Sequence, residues 1–110
     1  MKVDPELPFE LAALFGCAVL TGVGAAVNAA KVQAGDRVVV FGLGGVGLSA
    51  LLGAVLQGAG QVVAVDVMPA KLDLAGELGA TDAVHAGDEE SLAEILRLTG
   101  GGADHAIETV

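Results

Sequence analysis

The sequence predicts an α/β fold with a doubly wound parallel sheet of about four strands, covered by helices in three layers. Short valine-rich runs flanked by glycine alternate with longer apolar segments of helical length. Small aliphatic residues dominate, since 54% of the residues are hydrophobic and only three are phenylalanine. Repeated strand–helix alternation produces parallel strands, and helices made of small residues can lie closely on both faces of such a sheet.

The element order follows from the positions of these runs. Arg37–Phe41 and Gln61–Val65 have the continuous apolar pattern of buried strands, and the second strand is closed by an acidic residue. Further strands are predicted at Ala83–His85 and His105–Thr109. A leading helix is predicted from Thr21 to about Ala30. The helices between the strands are expected at Val46–Gln57, Pro69–Leu78 and Ser91–Leu98.

Local signals indicate where elements begin. Ser91, with Glu94 three residues later, has the pattern of a capping box and is expected to cap its helix. The turn residues of 33–36 precede the first strand. Residues 1–35 are therefore expected to form lead-in helices, and residues 36–110 the front part of the sheet domain.

The charge balance excludes some classes of partner. The chain has fourteen acidic and five basic residues, which gives a net charge of −9. Because nucleic acids and anionic membrane surfaces attract clustered basic residues, neither is an expected partner. Cys17 is the single cysteine, so an internal disulfide is impossible. The first ten residues hold one lysine and three acids, unlike a signal peptide, and a cytoplasmic location is expected.

A membrane hairpin is the alternative for the middle of the chain. Residues 38–65 carry no charge and are long enough to cross a bilayer as a helix. Gly45, Ser49 and Gly53 also have the small-residue spacing of packed membrane helices. Dense glycines at both ends of this stretch instead favour division into strand, turn, helix, turn and strand. No membrane partner is therefore expected.

The Gly42–Gly47 segment fits the pattern G-x-G-x-x-G. The pattern alone is weak in a chain with 17 glycines, but here it follows a buried strand and opens a helix. The next strand ends in Asp66, 19 residues after Gly47. This combination predicts a Rossmann-type dinucleotide site. Gly42 would allow the turn, Gly44 the approach of a pyrophosphate, and Gly47 the close packing of the helix.

The chemistry of the site follows from its charges. The backbone amides of Gly45, Val46 and Gly47 would bind the pyrophosphate, because a helix N-terminus favours an anion. Asp66 would accept hydrogen bonds from the adenosine ribose and repel a 2′-phosphate, which favours NAD over NADP. Lys71, five residues on, could fold back to the same ribose.

Plainer interpretations stay open. The glycines could form a turn without a ligand, Asp66 could be a strand-end residue, and Lys71 could be a solvated surface charge. A P-loop is excluded because Leu48 stands where lysine is required, and no G-x-S-x-G nucleophile motif occurs. The two histidines have no convincing metal-ligand spacing and are expected to be ordinary residues of the sheet or its loops.

The chain resembles the zinc-dependent medium-chain alcohol dehydrogenases, including the glutathione-linked formaldehyde dehydrogenases. The resemblance rests on 17–25, 34–48, Val65-Asp66, Lys71, 78–81 and 101–104. It implies NAD-dependent oxidation of an alcohol to an aldehyde or ketone by hydride transfer. It also implies a small-molecule alcohol or aldehyde as substrate and a homo-oligomeric full-length parent.

The resemblance assigns roles to individual residues. Cys17 matches the third ligand of the catalytic zinc, Thr21 and Val46 match positions that pack against the nicotinamide, and Asp66 and Lys71 match those that hold the adenosine ribose. The remaining zinc ligands and the proton relay belong to a catalytic domain that the resemblance places outside this sequence. The chain alone is thus expected to be inactive, with Cys17 as a buried thiol. The alternative function is a non-catalytic nucleotide-binding or assembly fragment.

Overall fold

The computed structural model describes residues 22–29, 31–87 and 90–109. These residues form one parallel sheet and four helical segments. Helical backbone at 22–24 continues into a π-helical segment, Ala25–Ala29. In chain order the remaining elements are β1 Arg37–Phe41, α1 Gly45–Leu56, β2 Gln61–Asp66, α2 Pro69–Glu77, β3 Asp82–His85, α3 Ser91–Leu98 and β4 His105–Glu108. The predicted fold class is confirmed.

The four strands lie in the order β3-β2-β1-β4, and every pair is parallel. Val39 is opposite Val63 in the β1–β2 pair, and Val40 is opposite Ile107 in the β1–β4 pair. The chain thus builds outward from β1 in one direction and then returns to its other side. Ligands of open α/β sheets bind at the carboxyl ends of the strands, where the order reverses in this way.

The core lies on both faces of the sheet, because successive strand residues point to opposite sides. Val38, Val40, Val62 and Ala64 belong to the cluster that includes buried residues of α1, α2 and the π-helical segment. The opposite cluster contains Val39, Val63, Val65 and Val84 with Ile95 of α3. This division into two helical layers around one sheet is the predicted three-layer arrangement.

Two local predictions need correction. The leading segment is not a regular α-helix where it is described, because its backbone widens to π-helical turns at Ala25–Ala29. The capping box at Ser91 is also wrong: Glu90 occupies the N-cap position in helical backbone geometry, and Ser91 is the first helical residue. A residue inside the helix lacks the extended conformation that a side-chain cap requires.

The uncharged stretch 38–65 divides as the glycine spacing indicates. It contains β1 from its second residue, all of α1 and most of β2, and α1 has 12 residues. Within the described ranges, no helix combines the length and the apolar character needed to cross a membrane.

Candidate dinucleotide-binding site

A cavity of about 380 Å³ opens at the carboxyl ends of the strands. It lies beside the reversal of strand order, because residues following β1, β2 and β4 all line it. The predicted site residues among them are Gly42, Gly44, Asp66 and Lys71, and further lining residues include Leu43, Val67 and Thr109. The structure therefore brings together the glycine segment and the acidic residue that follows β2.

The glycine segment forms a tight turn from β1 into α1. Gly42 has φ +88°, a conformation that side chains other than glycine rarely adopt, and its N–H donates to the carbonyl oxygen of Val65 at 2.9 Å. A Cβ on Gly47 would overlap the carbonyl oxygen of Gly42. The turn and the first turn of α1 thus touch through backbone atoms, which requires glycine at position 47.

The start of α1 faces open space. The amides of Gly45, Val46 and Gly47 lie in the first turn, where no preceding helical carbonyl can accept them. Gly44 is the N-cap, and a Cβ placed on it would meet nothing within 4 Å. Backbone donors, the helix dipole and free space at Gly44 are what a bound diphosphate requires, so these residues fit the group.

Asp66 ends β2 and is 9% exposed. Its Oδ2 accepts from the Leu43 N–H at 2.8 Å, and its Oδ1 accepts from the Met68 N–H at 2.8 Å. Each carboxylate oxygen has two lone pairs, so each can accept one further hydrogen bond. The carboxylate is fixed against the glycine turn and keeps acceptor capacity for a ligand hydroxyl.

The environment of Asp66 favours its ionised form. Burial alone raises the pKa of the carboxyl group, but donors from the Met68 and Leu43 backbone and the charge of Lys71 oppose burial. The net result is a pKa below the ordinary value of 3.8. Asp66 is thus an anion at neutral pH, and both of its oxygens act only as hydrogen-bond acceptors.

Lys71 lies in the first turn of α2, lines the cavity and is half-buried. It supplies positive charge on the side of the cavity where the Asp66 carboxylate lies. The structure therefore places the predicted acidic and basic side chains at one site, although they lie on different elements.

The predicted nicotinamide end is described in part. Gly22 packs so closely on α1 that a Cβ there would overlap the carbonyl oxygen of Val46. Thr21, the residue before it, lies outside the described residues, and so does Cys17. In the described part of the chain, no group of three or more His, Cys, Asp or Glu side chains could hold a metal ion.

Sequence reasoning missed Thr109, which follows β4 and lines the cavity. Its hydroxyl oxygen lies 2.9 Å from the carbonyl oxygen of Gly42 and 3.1 Å from that of Phe41, and it has one proton to donate. His85, which the sequence predicted to be an ordinary residue of the sheet or its loops, ends β3, and its Nε2–H donates to the Val67 carbonyl oxygen at 2.9 Å. The predicted strand ends placed both residues near the carboxyl edge, but they gave no sign of which carbonyl each would meet.

Comparison with known proteins identifies the family. Residues 45–110 match the family described as zinc-binding dehydrogenase. The chain is 46% identical over 111 residues to S-(hydroxymethyl)glutathione dehydrogenase of Synechocystis sp., covering 99% of this chain and 30% of that protein. It is 47% identical over 112 residues to alcohol dehydrogenase-like 6 of Arabidopsis thaliana, covering 100% and 29%.

A solved structure supports the same conclusion. Benzyl alcohol dehydrogenase from Acinetobacter calcoaceticus superposes with a TM-score of 0.85 at 41% identity, over 100% of this chain and 30% of that one. This chain thus spans about 30% of the length of the relatives that it matches. The match to the family covers more than half of the chain and begins at the first residue of α1. The superposition shows that the fold agrees as well. The chain belongs to the zinc-binding dehydrogenase family.

Proposed function

We propose that this chain binds the adenosine and pyrophosphate parts of NAD, as the front half of the cofactor domain of a zinc-dependent alcohol dehydrogenase. The observation that carries the proposal is the hydrogen bond from Leu43 N–H to Asp66 Oδ2 at 2.8 Å. It holds an ionised carboxylate against a glycine turn whose helix N-terminus faces open space. The names of the relatives support an activity on alcohols or on S-(hydroxymethyl)glutathione in the whole enzyme.

Each part of the site has a distinct task in this proposal. The amides of Gly45, Val46 and Gly47 bind the pyrophosphate, and Gly44 leaves room for it. Asp66 accepts the ribose hydroxyls and repels a 2′-phosphate, which selects NAD over NADP, and Lys71 adds a donor to the same sugar. Bound NAD supplies the hydride acceptor of the reaction. This chain's residues bind and orient that acceptor.

The rest of the active site is assigned by the resemblance. Cys17 would be one zinc ligand, and Thr21 and Val46 would contact the nicotinamide. In the domain division that we propose, residues 1–35 lead in from a catalytic domain and residues 36–110 begin the NAD-binding domain. A small alcohol or aldehyde is the proposed substrate of the whole enzyme, with a homo-oligomer as its assembly.

The test is a fluorescence titration of the purified chain with NADH and with NADPH, after circular dichroism has established folding. Asp66→Ala should weaken NADH binding by roughly tenfold to hundredfold, the effect of losing hydrogen bonds to a charged group. It should weaken NADPH binding less, because the repulsion of a 2′-phosphate is also removed.

Asp73→Ala is the matched control, since it removes an exposed carboxylate of α2 and changes the net charge equally. Its NADH affinity should equal that of the unaltered chain. A folded chain without NADH binding, or equal losses in both variants, would contradict the proposal and favour an assembly fragment that binds no nucleotide.

A further inference from the structure

The peptide group that joins Gly42 to Leu43 is held from both ends by side chains. The Thr109 hydroxyl donates to its carbonyl oxygen at 2.9 Å, and its N–H donates to Asp66 Oδ2 at 2.8 Å. Described peptide bonds are all trans, so the C=O and N–H of this planar group point in opposite directions. Thr109 and Asp66 therefore lie on opposite sides of one rigid unit, although they follow different strands.

The hydroxyl proton of Thr109 serves Gly42 rather than Phe41. A hydroxyl has one proton, and the two candidate acceptors lie at 2.9 Å and 3.1 Å. The carbonyl oxygen of Phe41 already accepts the Thr109 N–H at 3.0 Å. The hydroxyl therefore donates to the carbonyl oxygen of Gly42, which is the nearer acceptor. That carbonyl belongs to the same peptide group as the Leu43 N–H.

The surroundings leave this peptide group little freedom. The Gly42 carbonyl oxygen also contacts Gly47, and a Cβ on Gly47 would lie 2.9 Å from the Thr109 hydroxyl oxygen. Thr109 is half-buried at this point. A hydrogen bond accepted by a peptide carbonyl polarises the group and strengthens the N–H as a donor. Loss of the Thr109 hydroxyl should thus weaken the Leu43–Asp66 hydrogen bond.

We propose that Thr109 is a positioning residue for Asp66, and that it acts through the Gly42–Leu43 peptide group. Its consequence for cofactor affinity rests on the proposed NAD binding, whereas the coupling between the two side chains does not. The residue assigned to the adenosine ribose is thus oriented from the strand on the other side of β1. This makes the reversal of strand order part of the ribose site as well as the place where the cavity opens.

The experiment compares Thr109→Val, which removes the hydroxyl at nearly constant volume, with Thr109→Ser, which keeps it. Thr99→Val is the matched control, because Thr99 is a buried threonine whose hydroxyl donates to Ile95 at the end of α3. Thermal melts establish that each variant is folded. If Thr109→Val does not fold, Thr109→Ala provides the same loss of the hydroxyl with less bulk.

The first readout is the proton chemical shift of the Leu43 amide by NMR, followed during acid titration without cofactor. The Leu43 N–H lowers the pKa of Asp66, so Thr109→Val should raise the titration midpoint and move the amide signal upfield. Thr109→Ser should restore both values, and Thr99→Val should change neither. Unchanged Leu43 signals in Thr109→Val and Thr109→Ala would overturn the proposal.

The second readout is NADH affinity. Thr109→Val should raise the dissociation constant by about twofold to tenfold, the effect of one net hydrogen bond, and the loss should shrink in the Asp66→Ala background. Equal losses in both backgrounds would show that Thr109 acts without Asp66 and would overturn the coupling. An unaltered chain that fails to bind NADH contradicts the proposed function, while the amide titration still decides whether the two residues are coupled.

Discussion

At each edge of the sheet an aspartate carboxylate accepts backbone N–H groups, but the surroundings of the two carboxylates differ. At the amino edge, Asp104 Oδ2 accepts the Arg37 N–H at 2.8 Å, and the Arg37 side chain lies 3.6 Å from the same oxygen. At the carboxyl edge, Asp66 accepts two backbone N–H groups in a similar way. The amino-edge carboxylate has a basic side chain against it. The Asp66 carboxylate is held by backbone donors and keeps free acceptor capacity beside a cavity.

A second pair strengthens this contrast. Asp36 Oδ2 accepts from the Gln33 N–H at 2.9 Å and from His105 Nε2 at 2.8 Å. It joins the start of β1 to the start of β4, the strand pair across which the order reverses. The charged and polar side chains of the amino edge thus pair with one another and stabilise the sheet. At the carboxyl edge, the Asp66 carboxylate and the amides at the start of α1 keep hydrogen-bonding capacity that the described residues do not use. Substitutions at the two edges should therefore separate stability from binding.

The largest effect is expected at the carboxyl edge from Gly47→Ala. The new Cβ would overlap the Gly42 carbonyl oxygen, so the turn must open at a cost of about 3 kcal/mol of unfolding free energy. Gly44→Ala is the control, because its Cβ points into open space at an ordinary φ of −73°. That variant should stay folded and lose NADH affinity. Urea unfolding and NADH titration measure the two effects, and a stable Gly47→Ala chain would refute the packing argument.

A smaller effect is expected at the amino edge from Asp104→Ala. The Arg37 N–H loses its acceptor, which should lower the free energy of unfolding by about 1 kcal/mol, while the half-exposed ion pair adds little. Glu94→Ala, which removes the exposed pair with Arg97, should change stability by less than about 0.5 kcal/mol. NADH affinity should be unchanged in both variants. A loss of NADH affinity in Asp104→Ala would show that the amino edge also contributes to binding, and would contradict the division between a stabilising edge and a binding edge.

The contribution of the Asp36 carboxylate at the amino edge can be measured through the pH dependence of stability. The backbone N–H of Gln33 and the hydrogen bond from His105 hold the pKa of Asp36 below its ordinary 3.8. A pKa lowered in the folded state stabilises the fold above the unfolded value, and this stabilisation is lost as pH falls through the folded value. Asp36→Asn should therefore lower the melting temperature at neutral pH. Its deficit should shrink below about pH 4, and a deficit independent of pH would show that charge plays no part.

A small gain in stability, in contrast to the losses above, is expected from Lys31→Gly. Lys31, two residues after the π-helical segment, has φ +55°, a conformation that costs a side-chain residue about 1 kcal/mol. Glycine removes that cost, so the melting temperature should rise slightly. Lys31→Ala keeps the Cβ and should give no gain. Equal melting temperatures for the two variants would show that the backbone is not strained there.

Local patterns were sufficient for the fold and for one half of the site. Valine-rich runs between glycine turns predicted β1 and β2, and the shorter runs Ala83–His85 and His105–Thr109 predicted β3 and β4. The spacing from Gly47 to Asp66 predicted the acidic residue beside the turn. Those signals act within one strand–helix–strand unit. Thr109 lies 67 residues from Gly42, and His105 lies 69 residues from Asp36. Helical and strand periodicity relate residues only a few positions apart. The contacts of Thr109 with Gly42 and of His105 with Asp36 therefore become visible only when β4 pairs with β1.

The two errors both concern helical backbone. The capping box at Ser91 matched a four-residue pattern, but the helix begins one residue earlier than that pattern requires, with Glu90 at the N-cap position. The π-helical turns at Ala25–Ala29 lie against α1, where a Cβ on Gly53 would come within 3.1 Å of Ala26. Close helix contact sets the backbone there, and single-residue propensity does not encode that contact.

The position of β1 has a consequence for how such a domain can be divided. β1 pairs with β2 on one side and with β4 on the other, so both walls of the crevice come from residues 37–109. In the described sheet, β4 has its partner on the β1 side alone. Additional strands could join the free flank of β4 without separating Asp66 from the glycine turn that it contacts. A different set of strands on that flank would therefore leave the glycine turn, Asp66 and Thr109 in place.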